Sequence, residues 1–168
     1  FIEAVKAARI RDLSLKFWAF DSFEGLPEPD GVDKGGEFHG AQFTASRREF
    51  ESALKRYRVR QEQVRIVPGY FDKSLAPTNE AHAELKSVAL AWIDSDLYSS
   101  AVSVLDFLTD RLADGAIIMF DDWLCFKGHA DKGEQRACAE WLAKNPQIKL
   151  VEYHKFSWAG QSFIVNRV

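Results

Sequence analysis

Four aspartates stand directly after strongly apolar runs: Asp21 after Lys16–Phe20, Asp94 after Val88–Ile93, and Asp121-Asp122 after Ala116–Phe120. One aspartate in such a place is ordinary, because it ends a strand or caps the next helix equally well. Four of them brought to one edge of one sheet would repel, and a cation or a cationic ligand resolves that repulsion. Asp94, Asp121 and Asp122 are hard oxygen donors with no Cys or His beside them, which favours magnesium or calcium over zinc. Asp21 follows the first apolar run. In dinucleotide-binding folds an acid at that topological position bonds the ribose hydroxyls.

The elements that must carry these acids alternate. Phe1, Val5 and Ala8 trace a helical stripe, and Lys16–Phe20 reads as a buried strand. Residues 22–42 form a long loop with Gly25, Gly31, Gly35, Gly36, Gly40, Pro27 and Pro29, a candidate lid expected to be weakly anchored. Ser46 to Glu49 matches a capping box, and Phe50, Ala53, Leu54 and Tyr57 supply the apolar face of the helix it opens. A strand over Val64–Val67 closes at Pro68-Gly69, and 79–85 is weakly helical. Val88–Ile93 is the next strand. Ala101, Leu105, Leu108 and Leu112 mark a helix ended by Asp114-Gly115, before a strand over Ala116–Phe120. Asp131-x-x-Glu134 opens a last helix with Ala137, Cys138, Trp141 and Leu142 inside, and strands over Ile148–His154 and Gln161–Val165 follow.

Strands that alternate with helices and are apolar on both faces predict an α/β fold, a doubly wound and mostly parallel sheet. The last two strands have no helix between them and are predicted to form an antiparallel pair at one edge. The 168 residues carry a net charge of −3, without the basic face that nucleic acid requires. No apolar stretch approaches the ~20 residues that span a bilayer. Cys125 and Cys138 are too few for a disulfide scaffold and fit a reducing, cytoplasmic compartment. The chain opens at Phe1 inside an apolar periodic segment, so the expectation is one domain over 1–168, incomplete at its N-terminus.

Trp18 to Pro27 (WAFDSFEGLP), Val67 to Phe71 (VPGYF), Ile93 to Tyr98 (IDSDLY) and Phe120 to Trp123 (FDDW) together resemble the macrocin O-methyltransferase family of bacterial antibiotic-tailoring enzymes, in both order and spacing. The resemblance implies a class I, Rossmann-like methyltransferase that uses S-adenosylmethionine and Mg2+ to methylate a hydroxyl of a sugar or other small natural product. It implies that Asp21 takes the cofactor's ribose hydroxyls with Ser22 close by. It places Gly69, Tyr70 and Phe71 near the adenine, gives the metal to Asp94, Asp121 and Asp122, and proposes Asp94 as the base. Two departures stand out. Ser95 replaces the family's usual Gly, and the family's first strand and glycine-rich cofactor loop are absent from these residues. That strand would lie between Lys16–Phe20 and Val88–Ile93, so the sheet is expected to show a gap, a partner chain filling it, or direct pairing there. An interrupted sheet also favours association into a homo-oligomer, and the isolated chain should bind the cofactor poorly.

On this reading a divalent ion lowers the pKa of an acceptor hydroxyl and orients it, while Asp94 takes the proton. Two rivals remain at this stage. Asp94-Ser95-Asp96 is an Asp-x-Asp of the kind that binds metal and diphosphate in nucleotide-sugar glycosyltransferases, and the chain could be a non-catalytic, truncated module of the same fold. His39 and His129 lie in glycine-bearing loops that could touch substrate; His82 and His154 read as surface residues. Trp123 suits either an acceptor wall or packing. Neither cysteine has the basic neighbour that activates a thiol.

Overall fold

The computed structural model describes residues 1–168. In chain order the main elements are α1 (Ile2–Ile10), β1 (Phe17–Asp21), α2 (Arg47–Arg56), β2 (Val64–Pro68), α3 (Phe71–Ser74), α4 (Glu80–Glu84), β3 (Val88–Ile93), α5 (Tyr98–Leu108), β4 (Leu112–Phe120), α6 (Gly133–Lys144), β5 (Ile148–Phe156) and β6 (Gly160–Arg167). The capping box is present at α2: Ser46 Oγ accepts from the Glu49 N–H, and the Glu49 carboxylate accepts from the Ser46 N–H.

β1 and β2 pair in parallel, and a second sheet runs β3-β4-β6-β5. Within it β3 and β4 are parallel, while β6 is antiparallel to both β4 and β5, the edge pair expected from the sequence. β1 and β3 are not hydrogen-bonded to each other, so the sheet is interrupted there. The two parts meet through side chains instead: Phe20 of β1 stacks edge-on against Phe107 of α5, with ring centroids 5.6 Å apart.

The main core lies under the larger sheet, where Ile93, Ile118, Phe120 and Val165 pack on Leu105, Leu108 and Trp141 of α5 and α6. A smaller core, Val5, Leu54 and Val59 with Phe17, Val64 and Ile66, joins α1 and α2 to the β1–β2 pair. On β3, Leu90 and Trp92 stay half exposed on the face away from the main core.

Three local expectations are corrected. Asp114-Gly115 does not end a helix. α5 stops at Leu108, and β4 begins at Leu112 and runs through Gly115 at φ +78°, with a register shift opposite Val88–Leu90. Asp131 and Glu134 make no capping box: α6 starts after Lys132 without a side-chain cap, and Glu134 turns inward. His82 is partly buried, its ring 5.6 Å from that of Phe107, because Arg111 holds its carbonyl and Nδ1.

The 22–42 loop is anchored, contrary to the loose lid its composition suggested. Its base is closed by backbone bonds from Leu26 N to Gln42 O (3.0 Å) and from Ala41 N to Leu26 O (2.9 Å). At its tip Asp33 is buried and accepts from the N–H groups of Tyr98 and Ser99 at 2.8 and 3.1 Å. Asp33 thus caps the N-terminus of α5, whose own N-cap residue Leu97 offers no side-chain acceptor. Glu37 accepts the Phe126 N–H, and Phe38 packs on the Phe126 ring 5.4 Å away. That ring is seated against Gly36 and Gly133, where a Cβ would meet it at 2.8 and 2.7 Å.

Candidate active site

The parallel register pairs Ile93 with Phe120, so Asp94 and Asp121 leave adjacent strands at one level of the sheet's carboxyl edge. Open α/β sheets bind their ligands at that edge. Asp94, Asp96 and Asp122 come together there, with one carboxylate oxygen from each within 4.8 Å of the others. Asp96 has φ +56°, a left-handed backbone that Asp tolerates better than most residues and that turns it back toward Asp122. Its N–H donates to Asp122 Oδ2 at 3.1 Å, and the Cys125 thiol donates to Asp122 Oδ1 at 3.4 Å.

Asp121 lies beside this trio, outside its closest grouping. Its Oδ1 accepts from the Trp92 indole N–H at 3.2 Å, which fixes the carboxylate toward β3. Among the four acids named from sequence, then, Asp94 and Asp122 join a cluster completed by Asp96. Asp96 was visible only as the second acid of Asp-x-Asp.

No Lys or Arg pairs with the trio, and its titration reflects that. Partial burial, then the charges of Asp121, Asp122 and Asp21, raise Asp94 to about 6. Burial and the charges of Asp122, Asp94 and Asp121 raise Asp96 to about 7. Asp122 is also raised, chiefly by burial. Clustered, partly desolvated carboxylates without a cationic partner are a donor set that suits a hard divalent cation. A further carboxyl lies behind them: Glu134 of α6 is 1% exposed, and burial raises it well above the usual range. Sequence periodicity missed Glu134 because its partners lie in distant turns.

The positions assigned to the cofactor lie at the ends of β1 and β2. Asp21 Oδ1 accepts the Phe23 N–H at 2.7 Å, and Gly69 N–H donates to the Asp21 carbonyl at 2.9 Å. Ser22 Oγ donates to the Gly25 carbonyl at 2.8 Å and accepts the Glu24 N–H, which shapes the turn after β1. Gly69 has φ +125°, a conformation that needs glycine. Tyr70 precedes α3, and Phe71 at its start packs against the main core. Asp21 raises the Asp94 pKa, so these two regions share one electrostatic environment. The Asp21 carboxylate and the Ser22 hydroxyl oxygen keep acceptor capacity beyond the bonds described, which suits the donating hydroxyls of a ribose.

Several candidate side chains do not reach the cluster. His39 is exposed, and His129 is exposed with its Nδ1 3.9 Å from Asp131. Trp123 packs on Phe120 and Phe163 at 5.0 and 4.9 Å. Burial raises both thiols, Cys138 to about 12, so neither is a ready nucleophile. An open concavity of about 540 Å³ beside Arg65, Pro68 and Glu80 lies outside β2, away from the acids, and its Arg65 is already ion-paired to Glu80 and Glu84.

Comparison with known proteins shows the family and the fold. Residues 2–143 match the profile of the macrocin O-methyltransferase (TylF) family. The tetracenomycin-C 4'-O-methyltransferase of Streptomyces olivaceus, which acts on the 8-demethyl-8-(2,3-dimethoxy-alpha-L-rhamnosyl) compound, is 31% identical over 131 residues, 73% of this chain and 47% of that protein. Demethyldecarbamoylnovobiocin O-methyltransferase of Streptomyces niveus is 30% identical over 126 residues, 71% of this chain and 45% of the relative. The chain therefore spans about half the length of these curated relatives. Among solved structures, the O-methyltransferase NovP superposes with a TM-score of 0.76 at 25% identity, covering 99% of this chain and 66% of NovP. The calicheamicin methyltransferase CalS11 shares the fold, with a TM-score of 0.65 at 20% identity over 89% of this chain and 60% of CalS11. With its class I methyltransferase fold and its acids at the carboxyl edge, the chain belongs to the macrocin O-methyltransferase family.

Proposed function

We propose that this chain forms the metal-binding and nucleoside-binding part of an S-adenosylmethionine-dependent, Mg2+-dependent O-methyltransferase whose acceptor is a hydroxyl on a sugar or other small natural product. The observation that carries the proposal is the Asp94, Asp96 and Asp122 grouping, unpaired with any cation, at the carboxyl edge of a sheet with this family's topology. Asp94 and Asp122 hold the ion together with Asp96, and the Asp121 carboxylate borders it. When bound, the ion supplies Lewis acidity to an acceptor hydroxyl. Asp94, the most solvent-accessible of the trio, is placed to take the hydroxyl proton.

Asp21 and Ser22 bind the ribose end of the cofactor, and Gly69, Tyr70 and Phe71 flank its adenine. The anchored 22–42 loop and the Phe126 turn it packs on form the wall against which an acceptor rests. The lack of pairing between β1 and β3 supports a further parallel strand between them, whose glycine-rich turn would serve the methionine end of the cofactor. Two buried, unpaired thiols suit a cytoplasmic enzyme. No helix is long and apolar enough to cross a membrane. The relatives' names speak for methyl transfer to glycosylated natural products rather than for the glycosyltransferase alternative.

Calorimetric titration tests this directly. S-adenosylhomocysteine and Mg2+ should each release heat on the protein that carries the further strand, and a uridine diphosphate sugar should not. The 168-residue chain alone should bind S-adenosylhomocysteine more weakly than micromolar, since Asp21 and the Gly69 turn engage only the nucleoside half. Micromolar binding by this chain as a monomer would put the cofactor site elsewhere.

A further inference from the structure

Glu134 is a fully buried carboxyl that no step of the proposed reaction uses. It stands in the first turn of α6, yet it caps nothing in its own helix. Its Oε1 accepts from the Ser95 hydroxyl at 3.2 Å, and its Oε2 accepts from the Asp122 N–H at 3.0 Å. Ser95 lies between Asp94 and Asp96 on the turn after β3, and Asp122 lies on the turn after β4. One side chain from α6 therefore grips both acid-bearing turns. The Asp96 N–H bond to Asp122 Oδ2 closes the ring from the other side. Ser95 is 2% exposed, so its hydroxyl meets no bulk water and depends on this partner. The family resemblance leads one to expect Gly at this position, and a glycine has no atom to reach Glu134.

We infer that Glu134 and Ser95 act together as a positioning pair that fixes the distance between the β3 and β4 turns, and so sets the geometry in which Asp94, Asp96 and Asp122 receive a divalent cation. The inference deepens the metal reading above and rests on it. Groups behind a metal site that orient its ligands typically change affinity by about 10–100-fold when removed. Glutamine at 134 can keep both bonds, its carbonyl under the Asp122 N–H and its amide donating to Ser95 Oγ. Alanine keeps neither. Position and charge are thereby separated.

The test is Mn2+ calorimetry on the whole protein, with folding of each variant checked by circular dichroism. Glu134→Ala should weaken the Mn2+ Kd by about 10–100-fold, while Glu134→Gln stays within about threefold of wild type. Ser95→Ala and Ser95→Gly should weaken binding in the wild-type background and add nothing to Glu134→Ala, the coupling expected of two groups that work as one. If Glu134→Ala does not fold, Ser95→Ala, Ser95→Gly and Glu134→Gln carry the same comparison. Wild-type protein that takes up neither Mn2+ nor Mg2+ would defeat the metal reading itself. Tight wild-type binding with unchanged affinity in the Ser95 and Glu134→Ala variants would overturn the positioning pair alone. Equal losses in Glu134→Gln and Glu134→Ala would show that Glu134 acts through charge and not through position.

Discussion

The two halves of the molecule hold their ligand-facing residues by different means. The acid-bearing half rests on a continuous core in which Leu105, Ile118, Phe120 and Val165 are shielded from solvent, with α5 and α6 braced on the sheet. The β1–β2 half rests on a smaller core centred on Val5, Leu54 and Val59, and reaches the rest through contacts such as Phe20 on Phe107. Asp94, Asp96 and Asp122, the proposed metal ligands, stand at the ends of strands that belong to the larger core. Asp21 and Gly69, proposed to meet the cofactor's nucleoside, stand at the ends of β1 and β2, whose core is the smaller one.

Asp94→Asn is the sharpest way to break that contrast. It should lower turnover of the complete enzyme by at least about 10²–10⁴-fold through loss of the base, and further through loss of a metal ligand. Asp21→Asn should act mainly on the KM for S-adenosylmethionine. Steady-state kinetics at saturating and subsaturating cofactor separate the two, and equal effects on kcat from both variants would erase the division of labour.

Next in size are the two cores. Leu105→Ala opens the large core and should cost about 3–5 kcal/mol, whereas Leu54→Ala in the small one should cost about 2 kcal/mol. Chemical denaturation measures the totals. Hydrogen exchange locates them: Leu54→Ala should speed exchange in β1 and β2 and leave β4 and β6 protected. Uniform acceleration across both sheets would mean that the halves unfold as one unit.

Asp33→Ala removes the cap supplied to α5 from the 22–42 loop and should cost about 1–2 kcal/mol. Exchange at the Tyr98 and Ser99 amides should rise with it. In the wild-type protein without ligand these amides should be slow, and fast exchange there would restore the image of a loose lid.

The smallest expected effect is on pH dependence. Asp94 and Asp96 titrate near about 6 and about 7 in the folded protein, above the ordinary carboxylate value. A folded pKa raised in this way stabilises the fold below the unfolded pKa, and that stabilisation is lost as pH rises through the folded value. Without metal, the melting temperature should therefore fall between about pH 4 and pH 7, over a window set by these two groups. Mg2+ should restore it at pH 8 and do little at pH 4.5. In Asp96→Asn the fall should shrink, and a metal-free protein equally stable across this range would contradict the repulsion assigned to the cluster.

Much of this was legible from residue order. Apolar runs closed by Asp marked the strand ends at Asp21, Ile93 and Phe120 because a buried parallel strand must give way to polar residues where it meets solvent. The β5–β6 hairpin was legible because no helical stripe separates its strands. The rest depended on pairings between distant residues. Glu134 stood three residues after Asp131 and read as a local cap, while its partner Ser95 lies 39 residues away. Asp33 and Glu37 carry no local signal in the 22–42 loop; their partners at Ser99 and Phe126, far along the chain, bring the loop down onto the fold. Asp114-Gly115 has turn chemistry, and it serves the register shift between the Leu112 and Ile117 pairings of β4 rather than the end of a helix.

The closed base of the 22–42 loop has an evolutionary consequence. Backbone groups of Leu26, Ala41 and Gln42 make the closure, so no particular side chain is required to hold the two ends together. Lengthening a loop whose ends are already joined is inexpensive, since doubling its length adds only about 0.6 kcal/mol of closure entropy. Insertions and deletions between Pro27 and Gly31 can therefore accumulate without disturbing β1, provided Asp33 still reaches the start of α5 and Glu37 and Phe38 still meet the Phe126 turn. On the proposed function, a lineage that changes its acceptor can rewrite that short stretch while the acids at the strand ends stay as they are.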